Sequence, residues 1–478
     1  MLKTKIICTL GPASDDVETI RAFAQVGMAV ARINFSHGKY EDHTRRIAYA
    51  REVADKLDCA IAVMADLQGP KLRVGLLPGH GIELVEGKTL RLVDQEESED
   101  PDTIPVPHPE VLREVNTGDR ILLDDGLLEL VVSSCAEGEV LVRVIVGGPL
   151  TSRKGLSLPH TSLSMPSITE KDRADAAFAV EQEVDYFALS FVRCADDVKH
   201  LRAYLRDELG VNTPIIAKIE KPEAVDCIQE IVAVSDGIMV ARGDLGIEAP
   251  AEEVPIIQKR VIKLANEASI PVITATQMLD SMMRNPRPTR AEASDVANAI
   301  LDGSDAIMLS GETAVGRYAL NSVRTMARIA QVTERSMPYR EWLARGFDYG
   351  AEDITEAISQ IATEIAAELD ARAIIASTIS GSTARRVASH RPVTPIIAPT
   401  PRRTTYRQLA LVWGVVPIWA SEFPDTEEMI VTVVAASRKR GLVDDGDLVI
   451  ITAGVPLGGS GLTNTVKAHR VGEEQGWR

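Results

Sequence analysis

Long apolar runs are missing from the 478-residue chain: no stretch of 18 occurs, so no membrane-spanning helix is expected. The apolar run in the opening MLKTKIICTLGPASDD is too short for a secretory signal. Cysteine is sparse. The five, Cys8, Cys59, Cys135, Cys194 and Cys227, are odd in number and none forms a C-x-x-C. That excludes a zinc ribbon and a disulfide framework and points to a reducing compartment. Positive charge is also short, with 52 Lys and Arg against 69 Asp and Glu, a net −17. Such a surface argues against nucleic acid or an anionic membrane as partner. There is no G-x-x-x-x-G-K-[ST] phosphate loop, internal repeat or low-complexity segment. These absences leave a soluble, cytoplasmic, globular protein. They also pose a puzzle, because an anionic substrate must then be held by positive groups gathered locally.

What is present is rhythm. The chain length gives room for about two to four domains. Short apolar runs alternate with helical stretches, the pattern of parallel β/α units. Three come first: Lys5–Leu10, Ala29–Phe35 and Ile61–Leu67. From about Pro70 to Leu163 the text turns to strands and turns (GIELVEGKTLRLV, DRILLDDGLLELVV, EVLVRVIVGG), predicting an all-β insert with an acidic solvated loop at Gln95–Asp102. A capped helix opens at TEKD, and five further runs follow: Tyr186–Val192, Pro214–Glu220, Gly237–Gly243, Val272–Met278 and Ala306–Glu312. Three and five make eight, which predicts a (β/α)8 TIM barrel interrupted by a β lid. From about Pro338 a separate α/β domain is expected, with a long helix at Asp353–Leu369 and about five mostly parallel strands. The expected division is 1–69 with 164–337 for the barrel, 70–163 for the lid and 338–478 for the C-terminal domain.

In such a barrel, chemistry sits at the C-terminal ends of the strands. Those ends carry Arg32, Asn34, Ser36 and His37; Asp66; Ser190 and Arg193; Lys218 and Glu220; Arg242 and Asp244; Thr276 and Gln277; and Ser310 and Glu312. Any one polar strand end is ordinary, but the charge on nearly all of them is not. Lys218 and Glu220 are two apart on a strand and share a face. Asp244, after the next strand, lies close by. Two carboxylates from adjacent strands suit Mg²⁺, with Mn²⁺ able to replace it, and Lys218 supplies fixed positive charge for a phosphoryl group or enolate. Gly243 and Gly246 leave backbone N–H groups that can face a carboxylate. Arg32 and Arg73 are candidate phosphate clamps, since a guanidinium binds phosphate through two bonds. The loop Thr378–Thr383, TISGST, between a strand and a helix, is either a phosphate nest or a well-capped helix.

Together these stretches resemble the pyruvate kinase family. TKIICTLGPAS, ARINFSHG, LPHTSLSMPSITEKD, AKIEKPEAV, MVARGDLGIE, ATQMLDSM, PTRAEASDVANAILDGSDAIMLSGETAVG and SGSTARRVASHRP occur in the family's order over essentially the whole chain. The resemblance implies transfer of the phosphoryl group of phosphoenolpyruvate to ADP, followed by protonation of the enolate to pyruvate. It implies that Glu220 and Asp244 hold the divalent metal and that Lys218 stabilises the transferring phosphoryl group. Thr276, with the amides around Gly243 and Asp244, holds the substrate carboxylate and lies near the proton-delivery path. Arg32 and Arg73 contact phosphates, while Asn34, His37 and Lys154 lie on the nucleotide side. The family's monovalent-cation site matches Asn34, Ser36, Asp66 and the carbonyl of Leu67. Potassium-dependent members carry Glu where this chain has Lys71, so Lys71 is expected to supply the charge of K⁺ and to make the enzyme K⁺-independent.

Thr378, Ser380, Gly381, Ser382 and Thr383 match the family's effector phosphate loop. The later loop AGVPLGGSGLTN lacks the basic residue of some bisphosphate-regulated members, which favours a sugar monophosphate or AMP as effector. Members are usually homotetramers. Two rival readings remain at this point. One is a Mg²⁺-dependent carbon–carbon lyase of pyruvate enolate on a related barrel, which needs neither the lid nor Lys218. The other is a metabolite-binding protein on a decayed scaffold, against which every mapped catalytic position is filled.

Overall fold

The eight apolar runs become the strands Lys5–Thr9, Met28–Asn34, Ala62–Asp66, Tyr186–Leu189, Ile215–Ile219, Gly237–Ala241, Val272–Ala275 and Ala306–Leu309. In the computed structural model each pairs in parallel with its neighbours, and the eighth closes on the first. The structure describes residues 2–136, 139–159, 161, 164–339, 341–342, 353–422, 425–455 and 463–473. Several strands stop short of their apolar runs. Phe191, Thr276 and Gln277 follow strand ends at φ of 54°, 67° and 55°, and this left-handed backbone breaks the ladder.

Strand alternation positions the site. Ile7, Val30, Met64, Ala188, Ile216 and Met239 pack into one cluster filling the barrel interior. Their neighbours, such as Ile6, Ala31, Val63, Phe187, Ile215 and Ile238, pack outward against the helices. Both faces are therefore apolar, as strands covered on both sides require. Two residues beyond the interior positions, the same parity brings Thr9, Arg32, Asp66, Ser190 and Lys218 to the mouth.

The expected helix after the insert runs Glu170–Glu181 and starts with a capping box in which Thr169 and Asp172 exchange bonds. Asp172 is fully buried, and its other oxygen accepts the Gly69 amide at 3.0 Å. It thus ties the barrel's return helix to the point where the lid departs. Asp172→Ala leaves that amide unsatisfied, a loss of about 1–3 kcal/mol, and removes the return bond of the capping box to the Thr169 amide. The expected result is a thermal midpoint several degrees lower by calorimetry, at about 2–4 °C per kcal/mol. An unchanged midpoint would show that the tie is idle.

The insert is a curled sheet in the order Leu156–Ser157, Arg120–Leu123, Leu128–Ala136, Glu139–Val146, Thr89–Val93, Thr103–Pro105. A two-stranded ribbon, Gly148–Thr151 with Gly81–Leu84, accompanies it. The acidic loop is indeed mostly exposed, with Asp100 bonded to Arg91 and Thr103. The C-terminal helix Ile354–Glu368 is capped by Asp353. The C-terminal sheet runs Val415–Trp419, Ile396–Thr400, Ala373–Ala376, Leu448–Ala453, Thr465–Arg470, with only the last strand antiparallel. This domain covers the N-terminal end of the barrel. Ala410 and Leu411 join the barrel-interior cluster, Arg391 pairs with Asp305 at 3.0 Å, and Arg407 pairs with Asp185 at 2.7 Å.

Candidate active site at the barrel mouth

Four buried ionic side chains form one network. Arg32 donates from Nε to Asp66 Oδ2 at 2.6 Å and from Nη1 to Thr9 Oγ1 at 2.9 Å. Lys218 Nζ bonds Asp66 Oδ1 at 3.1 Å, Ser190 Oγ at 2.6 Å and Glu220 Oε1 at 2.9 Å. Glu220 Oε2 accepts the amide of left-handed Phe191 at 2.7 Å. Arg32 and Lys218 are 8% exposed, and Asp66 and Glu220 are 1% exposed. Two cations against two carboxylates make the network neutral, which is the condition for burying it.

Each charge is shaped by burial and by its partners. Burial opposes the Lys218 ammonium, but Asp66 and Glu220 outweigh it and raise its pKa. Burial would likewise raise the carboxyl of Asp66, but Arg32 and Lys218 hold it down. Glu220 moves the other way. Burial raises it, Lys218 counters, and the charge of Asp244 raises it further. A buried carboxylate under pressure from a second carboxylate is a donor pair whose repulsion a divalent cation relieves. Among the described residues no group of three or more His, Cys, Asp or Glu side chains converges, so water and substrate oxygens would complete such a shell.

At the exit of the seventh strand, Thr276 is clamped. Its hydroxyl accepts the Gly243 amide at 2.6 Å and donates to the Ala275 carbonyl at 2.6 Å. The Gly243 amide is therefore engaged rather than open to a ligand, a difference from the expectation. The reason is close approach, since a Cβ on Gly243 would sit 3.3 Å from Thr276 Oγ1.

The lid adds cations. His37 is pushed below its usual pKa by burial and by the charges of Arg73, Lys71, Arg32 and Lys171. The lid's Lys71 and Arg73 thus add to the positive field that the barrel's Arg32 sets up at this imidazole. Lys71 also lines, with Asp244, Phe191, Lys221 and Glu248, a cleft of about 50 Å³ between lid and barrel. Arg73 Nη1 bonds the Arg153 carbonyl at 2.9 Å. Lys154 pairs with Asp124 of the lid at 2.7 Å, so its ammonium turns to its own domain here. Asn34 Oδ1 accepts the Ser36 amide at 3.1 Å, and the Leu67 carbonyl accepts the Ser190 hydroxyl at 2.7 Å.

Strand-end residues outside the network have structural partners. Glu312 accepts the Leu279 and Ser310 amides, and Arg193 pairs with Asp197. Thr9 and Ser190 received no role from sequence reasoning, although strand parity with Ile7 and Ala188 was a sufficient signal for both.

The Thr378–Thr383 loop lies in the other domain, between the strand Ala373–Ala376 and the helix Ser382–Ser389. Gly381, at φ 88°, donates its amide to Thr378 Oγ1 at 2.9 Å. Ser380 and Ser382 hydroxyls are 3.3 Å apart, and Thr383 Oγ1 lies 2.7 Å from Thr463 Oγ1. Residues 456–462 of the AGVPLGGSGLTN loop are outside the described residues. Among those described, no helix is long and apolar enough to cross a membrane.

Residues 1–323 match the family model described as pyruvate kinase, barrel domain, and residues 356–469 the one described as pyruvate kinase, alpha/beta domain. A pyruvate kinase of Geobacillus stearothermophilus is 48% identical over 473 residues, covering 98% of this chain and 81% of that one. Those of Sporosarcina psychrophila and Bacillus licheniformis are each 46% identical over 475 residues, covering 99% of this chain and 81% of theirs.

Proposed function

Because the chain belongs to the pyruvate kinase family, a family of phosphotransferases, we propose that the barrel mouth moves the phosphoryl group of phosphoenolpyruvate to ADP, yielding pyruvate and ATP. The observation that carries the reading is the buried ammonium of Lys218, held between Asp66, Ser190 and Glu220 and within the field of Asp244.

In this reading the substrate phosphate enters against Lys218 and Arg32. The two cations exchange part of their bonding to Asp66 for the phosphoryl oxygens and stay fixed as charge moves to ADP. Glu220 and Asp244 would hold Mg²⁺, or Mn²⁺ in its place, which would supply further neutralisation of the phosphate oxygens. Thr276 and the Asp244 backbone receive the substrate carboxylate, with Gly243 contributing through Thr276. The Gly243 N–H acts by orienting the threonine hydroxyl, which stands near the path of the proton delivered to the enolate carbon. Arg73, Asn34, His37 and Lys154 serve the nucleotide, with Lys154 leaving Asp124 when ADP enters. The local cations resolve the puzzle of a −17 protein that binds anions.

The reading extends to K⁺ independence. Lys71 supplies the monovalent charge at the Asn34–Ser36–Asp66–Leu67 region. What supports this is that Lys71 lines the cleft with Asp244 and adds its positive charge to that of Arg32 at His37. It also includes the three-domain division at 1–69 with 164–337, 70–163 and 338–478, a cytoplasmic homotetramer, and a sugar monophosphate or AMP as effector at Thr378–Thr383.

A coupled assay with phosphoenolpyruvate, ADP and Mg²⁺ tests the core of the reading. ATP and pyruvate are expected in equal amounts, falling to background when EDTA removes the divalent cation. Failure to form ATP under these conditions would overturn the assignment.

A further inference from the structure

Thr276 holds an unfavourable backbone. A β-branched residue at φ 67°, followed by Gln277 at φ 55°, departs from the regions such residues occupy, so surrounding contacts must over-determine it. One neighbour makes that contact from outside the reacting cluster. Arg242 opens the short helix after the sixth strand. Its Nη2 donates to the Thr276 carbonyl at 2.9 Å and lies 2.7 Å from Met278 Sδ. Its Nη1 donates to Asp295 at 2.7 Å and to Gln258 at 3.4 Å. The next residue, Gly243, donates its amide to the Thr276 hydroxyl. Two successive residues thus grip Thr276 at both ends, the guanidinium at its carbonyl and the amide at its hydroxyl. Among the described residues no hydrogen bond joins Arg242 to Lys218, Glu220 or Asp66.

We propose that Arg242 is a positioning residue, anchored by Asp295, that locks Thr276 in its left-handed conformation and so fixes where the Thr276 hydroxyl stands relative to substrate. The inference rests on the role given to Thr276 above. A guanidinium suits the task because its planar fork spans the Thr276 carbonyl and the Asp295 carboxylate together. A lysine ammonium is a point donor and serves one of them.

A double-mutant cycle in the full-length protein tests this, using Arg242→Ala, Thr276→Ala and the pair, with kcat and both KM values measured. Arg242→Ala is expected to lower kcat about 10- to 100-fold, as a displaced positioning group does, with the KM for ADP unchanged. In the Thr276→Ala background the same replacement should change kcat by less than about twofold, because no hydroxyl remains to misplace. If Arg242→Ala does not fold, Arg242→Lys takes its place with the same expected coupling. Equal losses in both backgrounds, or a raised KM for ADP, would overturn the proposal while leaving the phosphotransfer reading intact. An inactive wild-type protein would instead overturn that reading.

Discussion

Replacing Lys218 by Met is expected to lower kcat by about 10²–10³ or more, the scale lost when a preorganised charge is removed from a dry site. The side chain keeps a similar length, so the cavity stays filled. What disappears is the one group that bridges Asp66, Ser190 and Glu220. The network, neutral in the native protein, then carries an uncompensated negative charge where the substrate phosphate must enter. Binding and phosphoryl transfer both suffer. Stability falls as well, because breaking a buried pair by deleting one partner costs about 3–5 kcal/mol. Part of that cost is relieved when Glu220, already raised by burial, takes up a proton. Single-turnover kinetics on protein shown folded by circular dichroism separate the two effects. A folded Lys218→Met variant with unchanged kcat would remove Lys218 from the mechanism.

The second large effect concerns Lys71. The wild-type enzyme, assayed in buffer free of Na⁺ and K⁺, is expected to gain less than about tenfold on adding K⁺, or under about 1.4 kcal/mol in barrier. Lys71→Glu reverses a charge that acts on His37 and that lines the lid cleft together with Asp244. Without K⁺ the variant should lose most of its activity, and saturating K⁺ should restore it by well over tenfold. K⁺ titrations of both proteins, with tetramethylammonium as the non-binding control, read this directly. A wild type that depends on K⁺, or a variant that ignores it, sinks the substitution of ammonium for potassium.

Much of the architecture was legible because its signals are local. Each barrel strand is a short apolar run covered on both faces, and such runs can be counted without knowing their partners. The capping box at Thr169 and Asp172 is likewise written in four consecutive residues. Lys218 and Glu220 could be placed together because a strand's period of two puts them on one side. Other features escaped for a physical reason. The bond from the Asp172 carboxylate to the Gly69 amide joins residues 103 apart. The clamp on Thr276 joins residues 33 and 34 apart, and no local pattern announces either. Lys154 shows the converse, since its motif position pointed toward the nucleotide while a carboxylate in its own domain holds its ammonium.

The amino-acid order therefore settled the class of fold, the placement of polar side chains at strand ends and, through residue-by-residue resemblance, the family. Periodicity and motif identity act over a few residues and survive without coordinates. Pairing was settled only when the barrel closed. Closure sets which carboxylate Lys218 shares with Arg32, turns the Gly243 amide onto the Thr276 hydroxyl, and brings lid cations to His37. Those outcomes depend on distances between segments far apart in the chain, and burial then gives them their electrostatic weight. The net charge of −17 with which the chain presents itself describes its surface, whereas the mouth of the barrel is governed by the few charges that folding shields from water.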